Sequence, residues 1–257
     1  YIYKLYMPDK YIPYVVVFDM DETLGHFQQI NIFWQVLCEY YKKINIKLDK
    51  KDLFEVIDIF NKILRPKILN ILEYLKNKKR EKICDKIIIF TNNTSKKWSN
   101  LIADYLNYKL DDHLIDQVIC AYKVKGTIVE PNRTQYDKSF NDFINCSKLS
   151  NTTQVCFLDD VRHPDMEHDN VVYLRIKPYV YSYLFETMVN DYYNKNKNKI
   201  ENKKFFFNFM ITNIDLYEYQ LNTKSDLEQK IDTLLSKRLL EHLDEFFVGK
   251  KQKRFTI

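Results

Sequence analysis

Glycine is nearly absent from this chain: its 257 residues include only 3. Loops that cradle phosphate on backbone N–H groups need glycine at fixed spacing. Neither a P-loop nor a dinucleotide fingerprint can be written from Gly25, Gly126 and Gly249. No apolar run approaches membrane-spanning length, so no membrane partner is expected. The Tyr-rich start carries no signal-peptide pattern and no initiator Met. Cys38, Cys84, Cys120, Cys146 and Cys156 are scattered, odd in number and form no C-x-x-C pair. That argues against a zinc site or disulfide frame and for a reducing intracellular compartment, cytoplasm or nucleus. A strong excess of one charge is lacking too. The net charge of +5, from 40 basic and 35 acidic residues, is below the density of a dedicated nucleic-acid binder. Hydrophobic residues at 46% and aromatics at 15% are ample for a packed core, and the length suits one domain with additions.

Strand-like and helix-period segments alternate. Apolar, β-branched runs lie at 14–18, 87–90, 118–122, 154–158 and 171–176. Helical spacing marks 66–78, 95–109 and 179–193. Strand runs without polar alternation, separated by helices, predict a mostly parallel sheet covered on both faces. In such sheets ligands bind beyond the carboxyl ends of the strands. Segment 27–64 interrupts the rhythm and reads as two helices, about 30–43 and 50–64, the second capped by Asp49. It is read either as a cap over the site or as a helical pair on the side of the core. The polar run 194–199 reads as a solvated linker that divides a core, 1–194, from an extension, 195–257. In that extension a capping box, Ser225 with Glu228, precedes Leu227, Ile231, Leu234, Leu235, Leu239 and Leu243 at helical spacing. The tail Lys250-Lys251-Gln252-Lys253-Arg254 reads as a solvated end, with nucleic-acid binding as its alternative.

Chemistry concentrates at strand ends. The run Tyr14-Val15-Val16-Val17-Phe18 delivers Asp19-Met20-Asp21-Glu22-Thr23. Alternation along an extended chain puts Asp19 and Asp21 on one side, and two such carboxylates call for a divalent cation. Thr91 ends the run 87–90, Lys138 follows later, and Asp159-Asp160 ends the run 154–158. The series D-x-D-x-T, then T, K and D-D in this order, resembles the haloacid dehalogenase (HAD) superfamily of phosphohydrolases. For such an enzyme Asp19 is the expected nucleophile, forming an aspartyl-phosphate, and Asp21 the general acid and base. Thr91 and Lys138 are expected to hold the phosphoryl oxygens, with Asn92 and Thr23 as further substrate contacts. Mg²⁺ is the expected cofactor, on Asp19, Asp21, Asp159 and Asp160, with the Met20 carbonyl as a further oxygen. Asp160 is alternatively placed to orient Lys138, and Asp165 is a lesser candidate.

The likeness extends to a narrower group. Residues 19–26, D-M-D-E-T-L-G-H, resemble the D-L-D-E-T-L-x-H of the NLI-interacting-factor-like phosphatases, which include RNA polymerase II C-terminal-domain phosphatases. Arg65-Pro66, Phe90-Thr91, Tyr136-Asp137-Lys138-Ser139, His163-Pro164-Asp165 and Asn170 resemble further segments of that group, over about residues 14–190. The fourth motif departs from it, with Asp159-Asp160 where the group has Asp-Asn. The resemblance implies a HAD-like, Rossmann-type parallel sheet with a helical insertion after the first strand and a C-terminal helical extension. It implies Mg²⁺-dependent hydrolysis of phosphoserine or phosphothreonine in a protein partner. The alternatives are a small-molecule or nucleic-acid-end phosphatase with 27–64 as lid, or a HAD fold used as a binding scaffold.

Overall fold

The computed structural model describes residues 11–248 and, in backbone only, 255–256. Eight strands and eight helices alternate through it, first as β1 (Tyr14–Phe18), α1 (Gln28–Lys43), α2 (Lys50–Ile59), α3 (Ile68–Arg80), β2 (Lys86–Phe90), α4 (Lys96–Lys109) and β3 (Gln117–Ile119). Then come β4 (Lys123–Val124), β5 (Thr127–Ile128), α5 (Phe140–Ser147), β6 (Gln154–Asp159), β7 (Val171–Arg175), α6 (Phe185–Lys195), α7 (Lys203–Asp215), α8 (Asp226–Phe247) and β8 (Phe255–Thr256). The main sheet has the order β3-β2-β1-β6-β7-β8, and every pairing in it is parallel. This is a Rossmann-like α/β architecture. Strands β4 and β5 form a separate small hairpin.

Alternation in β1 sorts the core. Val15 and Val17 pack on one face with Phe140 and Phe143 of α5. Val16 and Phe18 pack on the other, in a cluster that includes residues of every remaining helix. The two faces are therefore covered unequally, α5 standing against seven helices.

Segment 27–64 lies in that larger cluster. Its helices start where expected, and Asp49 caps α2 with a full capping box. Helix α2 stops at Ile59, and a 3-10 turn carries the chain on through Ile63. Phe33, Val36, Leu37, Val56 and Ile57 are buried together with Phe18. The helical pair is thus part of the sheet's own packing; the first turn of α1 reaches the strand ends, and the 3-10 turn at Ile63 backs the turn after β1, accepting the His26 N–H at 2.7 Å.

Three expectations need correction. The helix expected over 179–193 begins at Phe185. Before it the chain is extended, because its backbone is bonded elsewhere: Tyr179 N–H to the Glu22 carbonyl at 2.8 Å and Tyr183 N–H to Gln29 Oε1 at 2.9 Å. The run 194–199 is no linker. It is the end of α6 followed by a 3-10 turn, with Asn196 buried and its amide bonded to the Tyr192 carbonyl at 3.2 Å. Helix α7 then places Phe206 4.8 Å from Tyr40 of α1, ring centre to ring centre.

The stripe on α8 is the third. Leu239 and Leu243 are buried as expected, but Leu227, Ile231 and Leu234 face outward. The inner face of that half carries Asp232 and Ser236 instead, and Asp232 pairs with the nearly buried Lys224. A buried carboxylate needs such a partner, and this pair fixes the rotation of the helix. The basic run 250–254 lies outside the described residues.

Candidate active site

Strands β1 and β6 are neighbours, with Phe18 in register with Leu158. The two acids stand at neighbouring strand ends: Asp19 follows β1 and donates its N–H to the Leu158 carbonyl at 2.8 Å, and Asp159 is the last residue of β6, in register with Arg175 of β7. The strand order reverses between β1 and β6, which makes this the crevice where open α/β sheets bind ligands.

Lys138, just before α5, fills the gap. Its Nζ lies 2.5 Å from Asp19 Oδ1 and 2.6 Å from Asp159 Oδ2. Burial opposes the ammonium charge, but the two carboxylates outweigh it and raise the Lys138 pKa. Burial pushes the Asp19 carboxyl up to about 7 against the pull of Lys138. Asp159 is also buried, yet hydrogen bonding from His163 and the charge of Lys138 hold its carboxyl below the ordinary range. Acidic oxygens of Asp19, Asp159 and Asp160 lie within 4.8 Å of one another. With all three ionised, the carboxylates around one ammonium would leave excess negative charge in a buried place. The donor set is all hard oxygen with no thiolate or imidazole in it, which fits Mg²⁺.

The Asp21 carboxylate is not part of that group. Asn93 Nδ2 donates to its Oδ2 at 2.9 Å, and burial raises its pKa. A metal-ligand role for the Asp21 side chain is therefore not what the geometry favours; a carboxyl that tends to keep its proton suits an acid. The Met20 carbonyl accepts the Leu24 N–H at 2.9 Å and so belongs to the turn after β1. Thr23, expected to touch substrate, donates its hydroxyl to Asp160 Oδ1 at 3.1 Å and is buried behind it. Asp160 is thus held by Thr23, and the orientation of Lys138 falls to Asp159. Thr91 is buried at the end of β2. Its Oγ1 accepts the Asn93 N–H at 3.0 Å, which leaves its own O–H as a donor. Asn92 is exposed, and its neighbour Asn93 makes the contact to the site. Asp165 is exposed and bonded to Gln135 at 2.8 Å, away from the cluster.

Sequence reasoning passed over two residues altogether. Asn93 was overshadowed by Asn92. Arg133 is 2% exposed and links the parts of the site: its Nη1 donates to the Cys120 carbonyl at 2.8 Å and the Thr91 carbonyl at 3.3 Å, and its Nη2 to the Tyr136 carbonyl at 2.7 Å. The end of β2 is thereby tied to the segment that delivers Lys138. The one available signal was an arginine in a chain whose cations are mostly lysine. Arg65, noted for its place in an Arg-Pro pair, does similar work at the turn after β1. Its guanidinium donates to the carbonyls of Thr23 at 2.5 Å, Glu22 at 2.7 Å and Lys177 at 2.8 Å.

A cleft of about 260 Å³ opens beside Asp21 and Asn93. Its other walls come from the turn after β1, the start of α1 and Trp98 of α4. No family model matches this chain, and neither does any curated protein. Among the described residues no helix is long and apolar enough to cross a membrane.

Proposed function

We propose that the chain is a Mg²⁺-dependent phosphomonoester hydrolase of the HAD type that works through an aspartyl-phosphate. One observation carries this reading: Lys138 bridges Asp19 and Asp159 at the switch point of the sheet, with Asp160 beside them. A carboxylate held by a buried ammonium at the mouth of a crevice is placed to attack an anion that the same ammonium attracts.

An Asp19 oxygen attacks phosphorus, and the bond from phosphorus to the leaving oxygen breaks. Asp21 gives its proton to that oxygen. It then takes a proton from the water that hydrolyses the acyl phosphate, which restores both carboxyls. Lys138 and the Thr91 hydroxyl hold phosphoryl oxygens during both steps. Mg²⁺ on Asp19, Asp159 and Asp160 would offset the repulsion between carboxylate and phosphate. By resemblance the substrate is phosphoserine or phosphothreonine in a protein; the walls of the cleft favour a smaller leaving group.

Para-nitrophenyl phosphate tests the reaction. With Mg²⁺ the wild-type chain turns it over, and EDTA stops the reaction. Asp19→Asn loses at least about a thousandfold in kcat while its far-ultraviolet circular dichroism stays unchanged. Retention of more than a tenth of the wild-type rate would exclude Asp19 as nucleophile.

A further inference from the structure

We infer that the cleft beside Asp21 receives the alcohol of a sugar or polyol monophosphate; the inference rests on the hydrolase reading above. Position comes first. A proton donor must face the leaving oxygen, so the leaving group occupies the space next to Asp21, and that space is this cleft.

Charge comes second. The ionisable side chains along the walls are Asp21, Glu22 and His26, and no lysine or arginine is among them. A leaving group with a second phosphate, an acidic peptide or a polynucleotide would bring negative charge against Glu22 with no lysine or arginine on the walls to meet it. The lysine of the site, Lys138, is already bound between Asp19 and Asp159.

Hydrogen bonding comes third. Gln28 and Asn31, on the first turn of α1, bring carboxamides to the wall. Each carboxamide both donates and accepts, as a sugar hydroxyl does, so neighbouring hydroxyls find matched partners. Asn31 Oδ1 accepts from Gln35 at 3.0 Å, which fixes its amide and leaves Nδ2 to donate. Trp98, 4% exposed, adds a small apolar patch to the wall against which C–H groups can rest. Size agrees. About 260 Å³ is below the range of roughly 300–1,000 Å³ usual for drug-sized ligands, and suits one ring.

The test compares kcat/KM of the full chain with Mg²⁺ on four probes: para-nitrophenyl phosphate, glucose 6-phosphate, fructose 1,6-bisphosphate and a phosphoserine peptide. Glucose 6-phosphate should exceed the bisphosphate and the peptide by about tenfold or more, the scale that pocket contacts provide. Gln28→Lys should raise the ratio of bisphosphate to monophosphate turnover by about tenfold, and Asn31→Lys gives a second reading if the first variant folds poorly. Para-nitrophenyl phosphate turnover with the peptide equal to or faster than glucose 6-phosphate would overturn the assignment of the leaving group and leave the hydrolase reading intact. Loss of all four activities in wild-type protein overturns both.

Discussion

Asp19 sits between opposing forces. Burial favours its protonated form, to a pKa of about 7, while Lys138 and a bound cation favour the carboxylate. The linkage has a definite sign. Between pH about 4 and about 7 the metal-free folded chain holds a proton on Asp19 that the unfolded chain has released. Stability without Mg²⁺ therefore falls as pH rises through that window. Because Mg²⁺ requires the ionised form, the gain in Tm on adding Mg²⁺ should be larger at pH 8 than at pH 5, and Asp19→Asn should lose that difference. Melting curves with and without Mg²⁺ at both values measure it. Equal gains at the two values would show that Asp19 is ionised throughout. At this scale the sequence was most legible where a strand end fixes direction: Asp19, Asp159 and Thr91 stand where the apolar runs stop. It was least legible where a side chain acts on distant backbone. The carbonyls that Arg133 serves lie up to 42 positions away, and no local pattern encodes them.

Among elements, the turn after β1 shows how tightly the site is mounted. Glu22 adopts a left-handed backbone with φ 60°. Gly25 then lies so close to the 3-10 turn that a Cβ there would meet the Ile63 carbonyl oxygen at 2.6 Å and Phe27 Cζ at 2.8 Å. The scarcity of glycine makes this one informative, since backbone contact leaves no room for a side chain. Gly25→Ala should cost about 1–3 kcal/mol by overpacking and shift the turn that carries Asp21. Urea denaturation gives the first number, and a fall in kcat with little change in KM reports the second. An unchanged midpoint would mean that the 3-10 turn yields freely. The helix expected over 179–193 failed for a related reason. Its apolar residues have helical spacing, but Tyr179 and Tyr183 bond to Glu22 and Gln29, more than 150 positions earlier. Tertiary hydrogen bonds decided what periodicity left open.

For the molecule as a whole, the question is where the fold ends. Composition placed a boundary at 194, since alternating Asn and Lys is the usual chemistry of a solvated linker. The packing contradicts a boundary there. Phe206, Phe209, Met210 and Ile214 of α7 are buried in the same cluster as Phe18 of β1 and Phe33 of α1. At about 1.5–3 kcal/mol for each buried apolar side chain, these four contribute about 6–12 kcal/mol. That equals the net stability of a typical domain, about 5–15 kcal/mol. A chain ending at Lys199 would also expose Tyr40 and Tyr192, whose rings pack on Phe206. Such a truncation should therefore lack a cooperative thermal transition, bind a hydrophobic dye such as ANS and show no phosphatase activity, although every motif residue is present. A sharp transition within a few degrees of the full chain would restore the two-part reading. The physical reason for expecting otherwise is the unequal cover of the sheet. One face relies on α5, so the other must bury enough surface for both, and α7 with the second half of α8 supplies area that the first 199 residues lack.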